Sequence, residues 1–220
     1  MARLTLTFDN GPWPEATARI LNILADRGLA ATFFVVGEQL ADTEGRRVAE
    51  RAKAEGHWIG NHTMTHGTPL GLRRDPHHPE HEIGAAQRAL GRLAHPDRLF
   101  RPNGKGVLGP HLLSRAAADY LSAHRYTVVT WNNVPRDWEE PKECWIDRAL
   151  DGMEGQDWTL IVLHDHHLAG MIHTLPDFLD RVTAQGIEIV QDFPDSCVPI
   201  RRGQIQYPLD ALVAVSPRDV

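Results

Sequence analysis

Cysteine is scarce in this chain of 220 residues, which argues against a disulfide framework and against a cysteine-based metal site. The two cysteines, Cys144 and Cys197, are too few for a disulfide framework, and neither stands in the C-x-x-C spacing typical of metal sites. Long apolar runs are also missing, since none approaches the roughly 20 residues that a membrane-spanning helix needs. We therefore expect neither a disulfide-stapled scaffold nor a membrane protein.

Positive charge is in the minority, with 23 Lys and Arg against 29 Asp and Glu and a formal net charge of −6. The basic residues are scattered, so the chain lacks the basic patch that nucleic-acid binding requires. The first strand-like stretch begins at Arg3, which leaves no room for a secretory signal peptide. The sequence thus predicts a cytoplasmic protein without a nucleic-acid or membrane partner.

Strand-like stretches and amphipathic helical patterns alternate along the chain, whose hydrophobic content of 42% is enough for one large core. The predicted strands cover residues 3–8, 31–36, 58–60, 99–101, 126–131, 160–164 and 187–191. The predicted helices cover residues 14–27, 46–56, 79–94, 109–124, 142–153 and 175–186. Such alternation predicts an α/β fold with a mostly parallel sheet, and about seven units favour closure into a barrel. We predict one domain over residues 1–193 and an irregular C-terminal tail over residues 194–220.

Polar side chains follow most of the predicted strands, at the end where chemistry gathers in parallel α/β folds. They lie at Asp9 and Asn10, in 61–66, in 101–104, in 132–138, and at His164. Among them, His62 and His66 give the clearest metal signal. Side chains four residues apart share one face of a helical turn, so both imidazoles can reach one ion, and zinc binds imidazole readily. The plainer interpretation is a surface helix that carries two histidines.

Five short motifs together resemble the polysaccharide deacetylases of carbohydrate esterase family 4, the NodB-homology domain. The sequence "TFDNGP" is similar to that family's T-F-D-D-G-P, and "NHTMTH" looks like its H-[ST]-x-x-H. "RPNG", "NNVPRDW" and "IVLHD" resemble the third, fourth and fifth motifs in the same order. The resemblance implies a distorted (β/α) barrel and the metal-dependent removal of an acetyl group from a sugar.

The resemblance also implies roles for particular residues. Asp9 would act as the general base, with Arg101 paired to it, because an adjacent cation favours an ionised carboxylate. His164 would act as the general acid that protonates the leaving amine, with Asp137 orienting it. A divalent metal, expected to be zinc, would bind to His62, His66 and Asn10. The implied substrate-binding residues are Pro102, Asn103, Gly104, whose backbone N–H would face the oxyanion, and Trp138 and Leu163 around the acyl methyl group.

Asn10 departs from the family pattern, which has a metal-binding aspartate at this position. An amide oxygen still coordinates a metal but brings no negative charge, so the metal should bind more weakly while activating water more strongly. Val134 replaces an acid of the fourth motif, and "RPNG" lacks the aromatic residue common in the third. The expected substrate is a soluble acylated amino sugar or oligosaccharide, attacked at a linear amide bond.

The sequence is compatible with several alternatives. Each candidate residue has a purely structural explanation, in which Asp9 and Asn10 form a turn, Arg101 makes an ordinary ion pair, and His164 is a hydrogen-bonded core histidine. The alternative functions are hydrolysis of ring amides or formamides on the same fold, or binding of sugar without catalysis. His77, His78 and His81 are interpreted as a solvated loop, and the pattern assigns no role to His166 and His167.

Overall fold

The computed structural model describes residues 1–214, which form a nine-stranded sheet with helices between its strands. The strands are β1 (Arg3–Asp9), β2 (Thr32–Val35), β3 (Trp58–Asn61), β4 (Leu99–Phe100), β5 (Thr127–Val128), β6 (Trp158–His164), β7 (Glu188–Val190), β8 (Ile200–Arg201) and β9 (Gln204–Ile205). The α-helices are α1 (Pro14–Asp26), α2 (Thr43–Ala54), α3 (Ala85–Leu90), α4 (Arg115–Ala123), α5 (Trp145–Asp151), α6 (Asp165–Leu168) and α7 (Thr174–Ala184). Within the described residues, no helix is long and apolar enough to cross a bilayer.

The sheet is a distorted barrel. Strands β6, β1, β2, β3, β4 and β5 are neighbours in that order and all parallel. A single parallel bridge between Asn133, after β5, and Ile161 of β6 brings the two ends of this row together. Strand β7 pairs with the first half of β1, on the side where β2 pairs with the second half. The predicted (β/α) barrel of about seven strands is confirmed.

Strand β1 shows how alternation divides the two faces of the sheet. Leu4, Leu6 and Phe8 are fully buried in a core that the sheet shares with α1, α2, α5 and α7. Thr7 and Asp9 alternate with them and are buried as well, among the polar contacts of the barrel interior. A polar residue at an alternate position of a central strand is therefore carried into the barrel.

Two predicted helices differ from the observed ones. The stretch 79–94 is interrupted: a π-helical turn (Glu80–Gly84) precedes α3, and a 3-10 turn (Gly91–Leu93) follows it. His81, expected in a loop, lies in this π-helical turn. The stretch 109–124 becomes helical only at Arg115, because the Ser114 side chain accepts a hydrogen bond from Ala117 N and caps the helix there.

The segment after residue 193 is more ordered than the sequence suggests. Residues 200–205 form the hairpin of β8 and β9, and Val128 of β5 pairs with Ile200 in an antiparallel bridge. Cys197 and Val198 are buried in a second hydrophobic cluster, which also contains Val128 and Ile200. The expectation of an irregular tail is therefore wrong for 200–205, because β8 pairs with the otherwise exposed edge of β5. The domain boundary at residue 193 stays a prediction. The last part of the predicted tail, residues 215–220, lies outside the described residues.

Candidate active site

A cavity of about 310 Å³ opens at the carboxyl ends of the barrel strands. Its walls include most of the residues that the sequence proposed for chemistry: Asp9, Asn10, His62, His66, Pro102, Gly104, Trp138 and His164. Asp9 and His164 are register partners on the adjacent parallel strands β1 and β6. The barrel thus brings side chains that are distant in sequence to one opening.

Arg101 and Asp9 form a buried ion pair beneath this cavity. Arg101 is fully buried, and its Nη1 lies 2.8 Å from Asp9 Oδ1 and 2.7 Å from Thr7 Oγ1. The other donors of the guanidinium reach the carbonyl oxygens of Val129 and Thr130 at 3.3 and 3.2 Å. Burial lowers the pKa of Arg101, and the attraction of Asp9 opposes that shift. Because only one oxygen of Asp9 binds Arg101, the second remains directed to other partners.

The second oxygen of Asp9 lies near His62. Its Oδ2 is 3.6 Å from His62 Nε2, while His62 Nδ1 is 2.9 Å from the carbonyl oxygen of Arg101. Burial lowers the pKa of His62 to about 3, against the opposing charge of Asp9, so this imidazole is neutral at pH 7. A neutral ring whose Nδ1 donates to a carbonyl has a free lone pair on Nε2. His62 is therefore suited to ligate a metal rather than to form an ion pair.

His62 and His66 lie close together, but not on a helical turn. Their ring centroids are 4.8 Å apart, and the segment between them is a loop in which Thr63 and His66 have φ values of 69° and 52°. Burial also lowers the pKa of His66. The helical-turn argument for this pair is wrong. The rings meet because the loop turns back on itself, with His66 N donating to Thr63 Oγ1 at 3.0 Å.

Two side chains that the sequence did not single out hold this loop. Glu82, buried in the π-helical turn, accepts hydrogen bonds from the N–H groups of Met64 and Thr65, both at 3.1 Å, and from Thr65 Oγ1 at 2.8 Å. Asn61 accepts from Thr63 N at 2.9 Å and donates to the carbonyl of Ile83 at 2.9 Å. No sequence signal indicated Glu82, because an acid on the apolar side of a helical pattern is uninformative until the loop it contacts is known.

Asn10 lines the same cavity as the two imidazoles. Its backbone has a φ of 71°, a conformation that Asn tolerates, and its Oδ1 is buried without a hydrogen-bond partner among residues 1–214. A buried acceptor without a partner, beside two neutral imidazoles, fits a divalent cation. In the described part of the chain, no three His, Cys, Asp or Glu side chains form a metal-binding group. The nitrogen and oxygen atoms here are suited to bind a metal ion. They bring less negative charge than a set that includes a carboxylate.

Asp137 holds His164 through two hydrogen bonds. Its Nδ1 lies 2.8 Å from Asp137 Oδ1, and its backbone N donates to Asp137 Oδ2 at 2.8 Å. Burial opposes protonation of the ring, but the hydrogen bond and charge of the fully buried Asp137 prevail and raise the pKa of His164. Because Nδ1 is occupied, Nε2 is the nitrogen available to the cavity.

The substrate-binding predictions divide into two groups. Pro102, Gly104 and Trp138 line the cavity. A side chain at Gly104 would collide with Leu112, whose nearest atom is 2.2 Å from the position of a Cβ.

Leu163 and Asn103 do not line the cavity. Leu163 is fully buried on the helix side of β6, and Val162 takes its expected place because successive residues of a strand face opposite ways. Counting two positions back from His164 would have found Val162. Asn103 donates to the carbonyl of Gly67 at 2.7 Å and so braces the histidine loop. The cavity also includes Trp131 and His167, for which the sequence gave no role.

Sequence comparisons identify the family to which this site belongs. The sequence model described as polysaccharide deacetylase matches residues 2–129. A chitooligosaccharide deacetylase of Bradyrhizobium sp. (strain ANU 289) is 33% identical over 180 residues, which are 80% of this chain and 76% of that protein. The chain belongs to the polysaccharide deacetylase family. The resemblance drawn from the five motifs is thereby confirmed, while the roles of individual residues stay predictions.

Solved structures of other family members share the fold. A peptidoglycan N-acetylglucosamine deacetylase matches with a TM-score of 0.71 and 25% identity, covering 91% of this chain and 89% of that one. A protein of Bacillus anthracis described as a family 4 pseudoenzyme matches with a TM-score of 0.71 and 18% identity, covering 85% of this chain and 62% of that one. At this identity the second match shows the fold alone.

Proposed function

We propose that this polysaccharide deacetylase family member hydrolyses the N-acetyl group of an amino sugar within a soluble oligosaccharide. The observation that carries the proposal is that Asp9 and His164 line one cavity, with Asp9 bound to the buried Arg101 and His164 bound to the buried Asp137. The similarity to chitooligosaccharide deacetylases supports the substrate class.

The residues of the cavity divide the reaction between them. A divalent ion held by His62, His66 and Asn10 would polarise the acetyl carbonyl and lower the pKa of water. Asp9 accepts a proton from the water that adds to the carbonyl carbon, and its charge is balanced by Arg101. When the C–N bond breaks, His164 donates the proton on Nε2 to the departing nitrogen. The products are acetate and the free amine of the sugar.

The environment of His164 suits this second step. A histidine whose pKa is raised by a buried carboxylate retains its proton at neutral pH more than a free imidazole does. Asp137 holds the ring through Nδ1, so the same hydrogen bond fixes both the charge and the orientation of the acid. Trp138 packs edge-on against His164, with ring centroids 5.1 Å apart, and limits the directions from which a substrate can approach.

A second candidate function is sugar binding without catalysis. It is favoured by the amide of Asn10, because two imidazoles and one amide bring no negative charge and should hold a dication less tightly than a set that includes a carboxylate. Hydrolysis of a ring amide or formamide is the remaining alternative, since it would use the same base and acid. These candidates differ in whether zinc is required and in which bond is broken, so one set of assays separates them.

The test is to assay the purified protein, with and without added zinc, on N-acetylglucosamine oligomers, formylated amines and ring amides. Release of acetate and amine from the oligomers is the expected result. Asp9→Asn should abolish turnover, and His164→Ala should slow amide hydrolysis by about 10²–10⁴-fold. Activated acetyl esters should be affected less by His164→Ala, because their leaving groups need no proton.

His81→Ala is the matched histidine control, because His81 is exposed in the π-helical turn. It should leave both activities at the level of the parent. Equal losses on amides and activated esters in His164→Ala would contradict the role of His164 as acid. Turnover of ring amides alone would overturn the proposed reaction, and saturable oligomer binding without any turnover would establish the sugar-binding alternative.

A further inference from the structure

Four aromatic rings extend from the cavity to the surface in an unbroken row. Trp138 and His167 line the cavity, with their ring centroids 6.3 Å apart. The ring of His166 follows at 5.4 Å from His167, and the ring of Trp13 lies 4.7 Å from that of His166. We call these four residues the aromatic row. Of its members, only Trp138 has a place in the reaction proposed above.

The outer end of the aromatic row is exposed to solvent. Trp13 is 36% exposed, although it immediately follows the buried Gly11 and Pro12, and His166 is exposed beside it. An indole at the mouth of a cavity presents a large, rigid apolar surface whose burial has not been completed by the chain itself. Neighbouring imidazoles add hydrogen-bonding nitrogens around that surface.

Hydrogen bonds beneath the outer rings hold the backbone segments that carry them. Trp13 N donates to Thr17 Oγ1 at 2.9 Å, and the same hydroxyl donates to Asp165. Asp165 is the first residue of α6, the short helix that carries His166 and His167. The start of α1 and the start of α6 are thus tied together under the exposed rings. A preorganised surface of this kind loses little conformational entropy when a ligand binds.

We propose that Trp13 and His166 form a subsite for a second sugar unit of the oligosaccharide whose neighbouring unit reacts in the cavity. A pyranose ring has an apolar C–H face that can stack on the indole, and an equatorial rim of hydroxyl groups that can bond to imidazole nitrogens. The row runs from the cavity outwards, so it can contact consecutive units of one chain. This inference rests on the proposed function, because it extends the same substrate beyond the cavity, and it predicts a preference for oligomers over a single sugar.

The test compares the parent with Trp13→Ala and with Trp13→Phe, which keeps an aromatic face. The measured quantity is the ratio of kcat/KM for the N-acetylglucosamine tetramer to kcat/KM for the single sugar. Trp13→Ala should lower this ratio by about 10-fold, which corresponds to about 1.4 kcal/mol. Trp13→Phe should retain most of it. Ile205→Ala removes an exposed apolar side chain from the distant β9 and should leave the ratio at the value of the parent.

Binding is measured separately from turnover by calorimetric titration of the tetramer into Asp9→Asn and into Asp9→Asn with Trp13→Ala. Weaker binding in the second protein supports the subsite even where no substrate is turned over, so the proposed reaction can fail while this inference stands. Conversely, a parent that deacetylates the tetramer and the single sugar equally well, with Trp13→Ala binding the tetramer as tightly, overturns the subsite and leaves the reaction intact.

His166→Ala provides a second variant if Trp13→Ala does not fold, because it removes the other ring of the pair from an exposed position. It should lower the same ratio. A change in self-association of Trp13→Ala, measured by sedimentation, without any change in tetramer binding would assign the exposed indole to a protein contact and would also overturn the proposal.

Discussion

Replacing Asp165 with asparagine should make the folded protein more stable at alkaline pH. The Asp165 side chain is fully buried, its Oδ2 accepts a hydrogen bond from Thr17 Oγ1, and its Oδ1 has no partner in the described residues. Burial raises the pKa of Asp165 to about 7, although the Thr17 hydrogen bond and the charge of His164 oppose the shift. An unfolded chain would release this proton near the ordinary value of 3.8.

The sign and size of the effect follow from these two values. Below pH 3.8 both states hold the proton, and the contribution to stability is fully present. As pH rises towards 7 the unfolded state has lost the proton while the folded state keeps it, so the free energy of unfolding falls. At 1.36 kcal/mol for each pKa unit, the loss reaches about 4 kcal/mol above pH 7. Asparagine does not titrate, so Asp165→Asn removes this loss, less about 1–3 kcal/mol for a buried N–H without an acceptor.

The assay is urea unfolding of metal-free parent and Asp165→Asn at a series of pH values from about 4 to about 9. The difference in unfolding free energy between the two proteins should rise in favour of the variant by up to about 4 kcal/mol across this range, because other groups cancel in the difference. Asp26→Asn is the control, since Asp26 is exposed at the end of α1 and its replacement shows what the loss of any surface carboxylate does to the curve. A flat curve for Asp165→Asn, or one that favours the parent as pH rises, would refute the reasoning.

Two further predictions concern the metal-binding loop and are checked by calorimetric titration with zinc. Asn10→Asp should tighten zinc binding by about 1–4 kcal/mol, because it adds one charge beside the dication, and His62→Ala should abolish binding. Unchanged affinity in either variant would place the metal elsewhere. Glu82→Ala should weaken zinc binding about 10–100-fold, because it removes three hydrogen bonds from the loop that presents His66. Glu80→Ala is its matched control, since Glu80 bonds to Arg88 and Tyr120 instead, and equal losses in the two variants would contradict a role for Glu82 in positioning the loop.

The strand ends were the part of the site that the sequence could predict. Parallel strands carry their carboxyl ends to one edge, so Asp9 and His164 could be placed together before their registry on adjacent strands was known. The position of Leu163 was missed for a different reason. The resemblance to the family assigned the wall of the acyl pocket to Leu163. Successive residues of a strand face opposite ways, however, and it is Val162 that faces the cavity.

Other features depend on contacts between segments that are distant in sequence. The i, i+4 spacing of His62 and His66 is compatible with a helix, but Glu82 and Asn61 hold the segment in a loop instead. The local sequence pattern around the two histidines gives no information about those hydrogen-bond partners. The hairpin at 200–205 was missed because its strands are only two residues long and are specified by the open edge of β5 rather than by their own pattern.

The pairing of β1 has a consequence for the order in which the protein can fold during synthesis. Arg3 is in register with Trp158 of β6 on one side and with Glu188 of β7 on the other, so the first strand completes its hydrogen bonding only after most of the chain exists. Contacts over such long separations are slow to form and leave early segments waiting with exposed strand edges. Asp9 lies at the far end of this strand, next to His164. The two groups proposed for proton transfer can therefore meet only after the chain has been made as far as residue 164. A ribosome-stalled chain that stops before residue 158 should have half of the pair and none of its chemistry.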